Sequence, residues 1–397
     1  MPVPRRSTCA LLTLASAAFL IQAARLNSQT AKPSAKANAK TEVSETTEDR
    51  IESPSWWPTK NLVISAGLVG TAECAKCHSD KAASQSTTPM AHAGATAANA
   101  EILRAHDRLA GELPSYRYDI RRDPTGSTYS ATDGSNTRST ELEWAFGIAH
   151  KGQTYIYRRN GTYYESRVSF YKTLNALDLT TGHSANSPSS IDVALGRRMD
   201  IGETQHCFGC HTSGSLIAGH FDPSHATPGV TCEQCHGPGS KHVAAMKAGK
   251  IEEGRRAILN PRKLSPVTSV DFCGACHRTW ADVIQSEVTG VANVRFQPYR
   301  LESSKCWRQG DARLACIACH DPHQKLVQDT VSYDSKCLSC HVTKQVEKIA
   351  NHPGAACLVA TTNCASCHMP QVEVPSMHAP FTDHRIRIVR AGMPYPN

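Results

Sequence analysis

Seven times the sequence writes Cys-x-x-Cys-His: at Cys74-Cys77-His78, Cys207-Cys210-His211, Cys232-Cys235-His236, Cys273-Cys276-His277, Cys316-Cys319-His320, Cys337-Cys340-His341 and Cys364-Cys367-His368. These motifs take fourteen of the 17 cysteines. Two cysteines three residues apart on a helical turn point the same way, so both thiols can reach the two vinyl groups of one porphyrin. The histidine that follows brings its imidazole under the iron as proximal ligand. The spacing therefore predicts haem c, seven groups each covalently held, with iron bound by His78, His211, His236, His277, His320, His341 and His368. Structural zinc also uses Cys-x-x-Cys, but it takes the pairs two at a time, and seven is odd. A disulfide scaffold needs neither the spacing nor the histidine.

Twelve histidines lie outside the motifs, more than seven haems need as second axial ligands. Nearness to a motif selects among them. His242 follows His236 through Gly237-Pro-Gly, His323 follows His320 by three residues, and His225 precedes Cys232 by seven. His352, His378 and His384 flank the last motif, and His92 competes with Met90 beside the first. His150 is held in reserve, His106 falls on a predicted surface helix, and His183, His206 and His220 stay open. Ligation by two histidines implies lower potentials than His/Met ligation.

The elements that must position these groups come next. Aromatic residues are only 6% of the 397, and Gly (25) and Pro (22) are frequent. That is thin material for a core of side chains alone, so the cofactors are expected to fill much of the interior. The formal charge of +8 is offset by propionates, about fourteen if there are seven haems. No interleaved aromatic and basic stretch of the kind single-stranded nucleic acid needs is present, and nucleic acid is excluded as a partner.

Residues 1–25 read as a signal peptide: Arg5 and Arg6, an apolar run from Cys9 to Ile21, then Ala23 and Ala24. No membrane span is expected after its cleavage, and the location expected is the periplasm, or the cell exterior or outer membrane. Residues 26–60 read as a disordered linker on composition, 61–110 as a first haem-binding segment with a helix from Ala97 to Leu109, and 111–200 as a small β-rich insert. Within the insert, Asn160-Gly161 between two alternating runs predicts a tight hairpin turn. Residues 201–397 hold the other six motifs. The fold class is a multihaem cytochrome c, mainly short α-helices and irregular coil wrapped around stacked haems. Once Cys9 leaves with the signal peptide, Cys306 and Cys357 remain, either as a disulfide or as two separate thiols.

Two stretches carry a family resemblance. Gly229-Val-Thr-Cys-Glu-Gln-Cys-His-Gly-Pro-Gly-Ser-Lys-His242 resembles the haem segment of the superfamily that includes tetrahaem cytochrome c and hydroxylamine oxidoreductase. Cys364-Ala-Ser-Cys-His-Met-Pro370, with His378-Ala-Pro-Phe-Thr-Asp-His-Arg-Ile386, is similar to the C-terminal haem region of related proteins. The resemblance implies His242, and His378 or His384, as second axial ligands, and a stacked haem arrangement. It transfers no activity. The related pentahaem nitrite reductases bind their catalytic haem through Cys-x-x-Cys-Lys, which does not occur here, and no tyrosine is singled out for the cross-link of hydroxylamine oxidoreductases.

The function expected is electron transfer through a chain of covalent haems, between redox partner proteins or quinol-linked donors. The alternative is an oxidoreductase with one five-coordinate haem, using a small nitrogen or sulfur compound as electron acceptor or donor.

Overall fold

The computed structural model describes residues 67–217, 220–286, 288–308, 313–341, 357 and 359–388. The expected signal peptide, the linker and His352 lie outside the described residues.

The chain enters through a helix, α1 (Thr71–Ala75), that carries Cys74. A nine-stranded antiparallel sheet follows: β1 (Gly94–Thr96), β2 (Arg108–Leu113), β3 (Tyr116–Arg122), β4 (Ser127–Thr132), β5 (Thr137–Phe146), β6 (Gly152–Arg159), β7 (Thr162–Tyr171), β8 (Ala176–Leu179) and β9 (Gly196–Arg198). Strands β2 to β8 pair in sequence order, while β1 adds to β5 and β9 to β7. The two ends of the run come together, for Gly111 on β2 sits against Leu177 on β8. A Cβ at Gly111 would fall 2.5 Å from the Leu177 carbonyl oxygen, so only glycine permits this approach.

Alternation sets the sheet's core face. On β4, Ser127, Tyr129 and Ala131 point inward, and on β3 Tyr118 and Ile120 do. They join Leu109, Leu142, Tyr155, Tyr157, Val168, Phe170 and Leu195 in one cluster. This core is made of side chains, where the composition had suggested that cofactors would dominate. The 6% of aromatics is thin on average, but tyrosine is concentrated here.

The β unit is also larger than the sequence indicated, beginning at Gly94. The helix expected over 97–109 is a single turn, α2 (Glu101–Ala105), and Arg108–Leu113 is strand. Tertiary pairing with β3, from Arg108↔Arg121 to Leu113↔Tyr116, overrides the local helical pattern. The expected hairpin turn is present: Asn160 (φ 50°) and Gly161 (φ 77°) both adopt the left-handed conformation that a two-residue turn between β6 and β7 requires.

Beyond the sheet the chain does consist of short helices. They include α3 (Ile201–His211), α4 (Cys232–His236), α5 (Ser240–Lys247), α6 (Ile251–Arg256), α7 (Pro266–His277), α8 (Gln297–Glu302), α9 (Cys316–Cys319), α10 (Asp334–Leu338) and α11 (Cys364–His368). A last hairpin, β10 (Gln371–Val374) and β11 (Ala379–Thr382), closes the described chain. Among the described residues no helix is long and apolar enough to cross a membrane.

One irregularity ties the sheet to the helices. A bulge between Leu142 and Trp144 on β5 shifts the register, so Ala145 faces the core while Trp144 and Phe146 face away from it. Those two rings meet Phe208 of α3 edge-on at 5.3 and 5.0 Å. The sheet thereby anchors the helix that presents Cys207, Cys210 and His211.

Candidate haem-binding centres

Each motif sits on or just after a helical turn, and the turn explains the spacing. The His78, His320 and His341 N–H groups donate to the carbonyls of Cys74, Cys316 and Cys337, four residues back, so cysteine and histidine lie one turn apart. The helices are capped to begin where they do. Asp200 accepts from Glu203 N at the start of α3, and Ser265 accepts from Thr268 N, with Pro266 as the first residue of α7.

The imidazoles then divide by which nitrogen is engaged. His211 Nδ1 donates to Ala93 O (2.7 Å), His236 Nδ1 to Leu259 O (2.8 Å) and His368 Nδ1 to Arg387 O (2.7 Å). Outside the motifs, His242 Nδ1 donates to Gly254 O (2.8 Å) and His384 Nδ1 to Thr382 O (3.0 Å). A carbonyl can only accept, so each of these rings carries a proton on Nδ1, which leaves Nε2 as the nitrogen a metal would take. Burial also holds the His211, His236, His277 and His320 imidazoles below the ordinary histidine range. It takes His384 down to about 4, so all five are neutral at neutral pH.

Three motif histidines face a second histidine. The His78 and His242 ring centroids are 6.3 Å apart, His236 and His323 are 5.9 Å apart, and His320 and His384 are 6.2 Å apart. All three partners were candidates from their position near a motif, but none of them faces the motif it neighbours: His242 follows the Cys232 motif yet faces the Cys74 motif. His323 follows the Cys316 motif yet faces the Cys232 motif, and His384 follows the Cys364 motif yet faces the Cys316 motif.

The remaining candidates sit differently. His378 Nε2 is 2.9 Å from Asp178 Oδ2 on β8, and its ring stands edge-on to Tyr171 at 4.7 Å. His225 is exposed, in a turn where its Nδ1 meets Asp222 Oδ2 at 2.9 Å. His92 lies in an exposed turn, one residue before the Ala93 carbonyl that holds His211. His183 is buried, with Nε2 3.0 Å from Glu165 Oε2, and Arg197 joins the same carboxylate at 2.7 Å. His106 Nδ1 caps its own helix by donating to Ile102 O (2.9 Å). No disulfide joins Cys306 to Cys357, and the latter is exposed.

Sequence reasoning missed the groups behind the ligands. The carbonyls of Ala93, Leu259, Gly254 and Arg387 have no residue-type signature. Glu233, inside the Cys232 motif, is 6% exposed. Its carboxylate accepts from Val69 N (2.9 Å), Gly70 N (2.8 Å) and Gly239 N (2.8 Å), binding the start of α1 to α4. Its negative charge inside a haem motif was the available signal.

Comparison with known proteins agrees with this chemistry. Residues 164–237 match the family described as cytochrome c554 and c-prime, a span that ends on the Cys232 motif. A multiheme cytochrome MtrA from Shewanella baltica (strain OS185) is 23% identical over 203 residues, 46% of this chain and 52% of the relative. The chain thus spans about half the length of the curated relative it matches. Among solved structures, the outer cell wall cytochrome OcwA aligns over 81% of this chain and 80% of its own, at 14% identity and a TM-score of 0.48. Repeated haem-attachment motifs, a c-type family match and a multihaem relative converge on one class: the chain is a multihaem cytochrome c.

Proposed function

We propose that the chain carries seven covalent haems, one per motif, and serves as an exported electron carrier of the tetrahaem cytochrome c and hydroxylamine oxidoreductase-like superfamily. The observation that carries this reading is the set of facing imidazoles, His78–His242, His236–His323 and His320–His384, each about one metal-and-two-ligand span apart. The residues fit the cofactor. Thiols stand one turn from an imidazole, and in three motifs a second imidazole faces the first. Bound there, haem supplies a reversible one-electron centre.

The chain's own residues then do three things. The cysteines tether the porphyrin, so a deep apolar pocket is not required. The Nδ1 hydrogen bonds hold each ring's orientation and raise its basicity as a ligand. The paired histidines would both hold the iron, which would favour electron transfer over binding of a substrate there. The partners are redox proteins or quinol-linked donors, and the setting is the periplasm, cell exterior or outer membrane. His211, His277, His341 and His368, with His92, His225 and His352, complete the proposed ligand set; of His378 and His384 the second is taken, because His378 Nε2 faces Asp178.

Two measurements test the proposal. The mature protein should be heavier than its polypeptide by about seven haem units that survive acid-acetone extraction. After full reduction with dithionite, anaerobic nitrite, hydroxylamine or sulfite should reoxidise the α-band slowly and stoichiometrically. Stoichiometric zinc with fewer than five covalent haems would end the cytochrome reading. Fast catalytic reoxidation, with a high-spin ferric signal in the resting protein, would make the chain an oxidoreductase instead.

A further inference from the structure

We propose that the haem motifs are wired out of chain order: a run through the Cys74, Cys232, Cys273, Cys316, Cys337 and Cys364 motifs, which the Cys207 motif joins as a side branch at the Cys273 motif. This rests on the electron-carrier reading and extends it to the path.

The cysteines mark where each porphyrin is tethered, so contacts between the cysteine-bearing helices of different motifs mark neighbouring haems. At one end the helices that carry Cys74 and Cys232, α1 and α4, are in contact, and Cys232 Sγ lies 3.8 Å from Thr71 Oγ1 on α1. The Glu233 carboxylate clamps the same two helices together. Cys235 and Cys273 pack on one apolar cluster of Leu259, Leu264 and Phe272, which carries the run to α7.

From α7 the path goes two ways. Cys273 sits on α7 and Cys316 on α9, and the two helices are in contact. Cys210 Sγ lies 3.7 Å from Ala275 O, the residue before Cys276, and α3 packs against α7. One motif therefore meets three others. Gln234 also donates to Gly209 O at 2.9 Å, so α3 lies near α4 as well, but its cysteine contact is with α7.

The run then continues. Tyr333, just ahead of α10, puts its ring 5.4 Å from His320. Asp334 of α10 accepts from Cys364 N at 2.8 Å, and α10 and α11 are in contact. The second cysteines at both ends, Cys77 and Cys367, are exposed, as is Cys319 within the run, while those of the Cys207 and Cys273 motifs are more enclosed. An electron arriving on the branch, beside the sheet, can leave at either end.

Iron positions decide the matter: anomalous diffraction at the iron edge from crystals of the full holoprotein, with each iron assigned to its motif. The expected map has the Cys273-motif iron with three near neighbours, and the Cys207-motif iron closest to it. A linear series in chain order, with the Cys207-motif iron between those of the Cys74 and Cys232 motifs, overturns the branch. So does a Cys207-motif iron closest to the Cys232-motif iron. A second arm uses variants that lack one haem. Removing the branch by Cys207→Ser with Cys210→Ser should leave flash-photoreduced electrons equilibrating over the other six haems in one phase. Cys273→Ser with Cys276→Ser should split that equilibration into separate phases, and a single phase in both variants overturns the junction. Should neither variant accumulate, the iron map alone decides. Catalytic reoxidation by nitrite with the branched map intact would sink the carrier reading and leave the wiring standing.

Discussion

Arg300 and Asp383 form a fully enclosed, two-pronged ion pair: Arg300 Nε donates to Asp383 Oδ1 at 2.8 Å and Nη2 to Oδ2 at 2.7 Å, with side-chain exposures of 1% and 0%. Asp383 immediately precedes His384, and its Oδ1 also accepts from Arg385 N at 2.9 Å. The Ser304 hydroxyl donates to the His384 carbonyl at 3.2 Å. The pair therefore fixes the backbone on both sides of the imidazole that faces His320, joining α8 to the final hairpin.

Breaking that pair leaves a buried carboxylate without its counter-ion, which costs about 3–5 kcal/mol. Arg300→Met should lower the unfolding midpoint accordingly and loosen His384, turning one haem high-spin. Arg300→Lys keeps the charge but loses the planar fork, so it should recover only part of the stability. Denaturant unfolding with electron paramagnetic resonance of the oxidised protein reads both effects. A stable Arg300→Met protein with an unchanged spectrum would show that the pair does not position the ligand.

The facing imidazoles make a sharper claim on single residues. His242→Ala or His323→Ala should each convert one haem from low-spin to high-spin and leave the others attached. His378→Ala should leave the spin states alone, because its Nε2 is already engaged by Asp178, and should affect only how the hairpin docks. A high-spin signal from His378→Ala together with none from His384→Ala would reverse the assignment of that hairpin.

Glu233 bears on how the first motif is held. Its carboxylate serves three backbone N–H donors, and hydrogen bonds to a charged group are worth about 1.5–3 kcal/mol each. Glu233→Gln keeps the shape but presents an NH2 where donors already converge. Proteolysis near Val69 and Gly70 should become faster while the haem count stays the same. Unchanged cleavage would mean that α1 is held by its other contacts.

What could be read beforehand follows the range of the interactions involved. The motif turns and the Asn160-Gly161 hairpin are local, and the sequence states them outright. His242 and His323 were singled out by nearness to a motif, a local signal, but the motif histidines they face, His78 and His236, are distant in sequence. Between His378 and His384 nothing local could choose: they share one hairpin, and the choice lies with Asp178 on β8 and with Arg300 on α8. The same holds for the sheet. Its alternating strands were visible from Tyr116 to Tyr171, but Arg108–Leu113 is a strand only because β3 and β8 flank it, and the Leu142–Trp144 bulge has no residue-type mark.

Glu302, at the end of α8, links this region to pH. Burial first, and then the nearby Asp271 carboxylate, push its carboxyl up from the ordinary 4.5 to about 7. The folded protein thus holds this proton more tightly than the unfolded chain does. The stability that comes from it is fully present below about pH 4.5 and is lost as the pH climbs through about 7. Unfolding midpoints measured from pH 4.5 to 8 should fall across that window. Glu302→Gln, which stays neutral throughout, should flatten the decline and be relatively more stable at pH 8. A decline of equal slope in the variant would place the responsible group elsewhere.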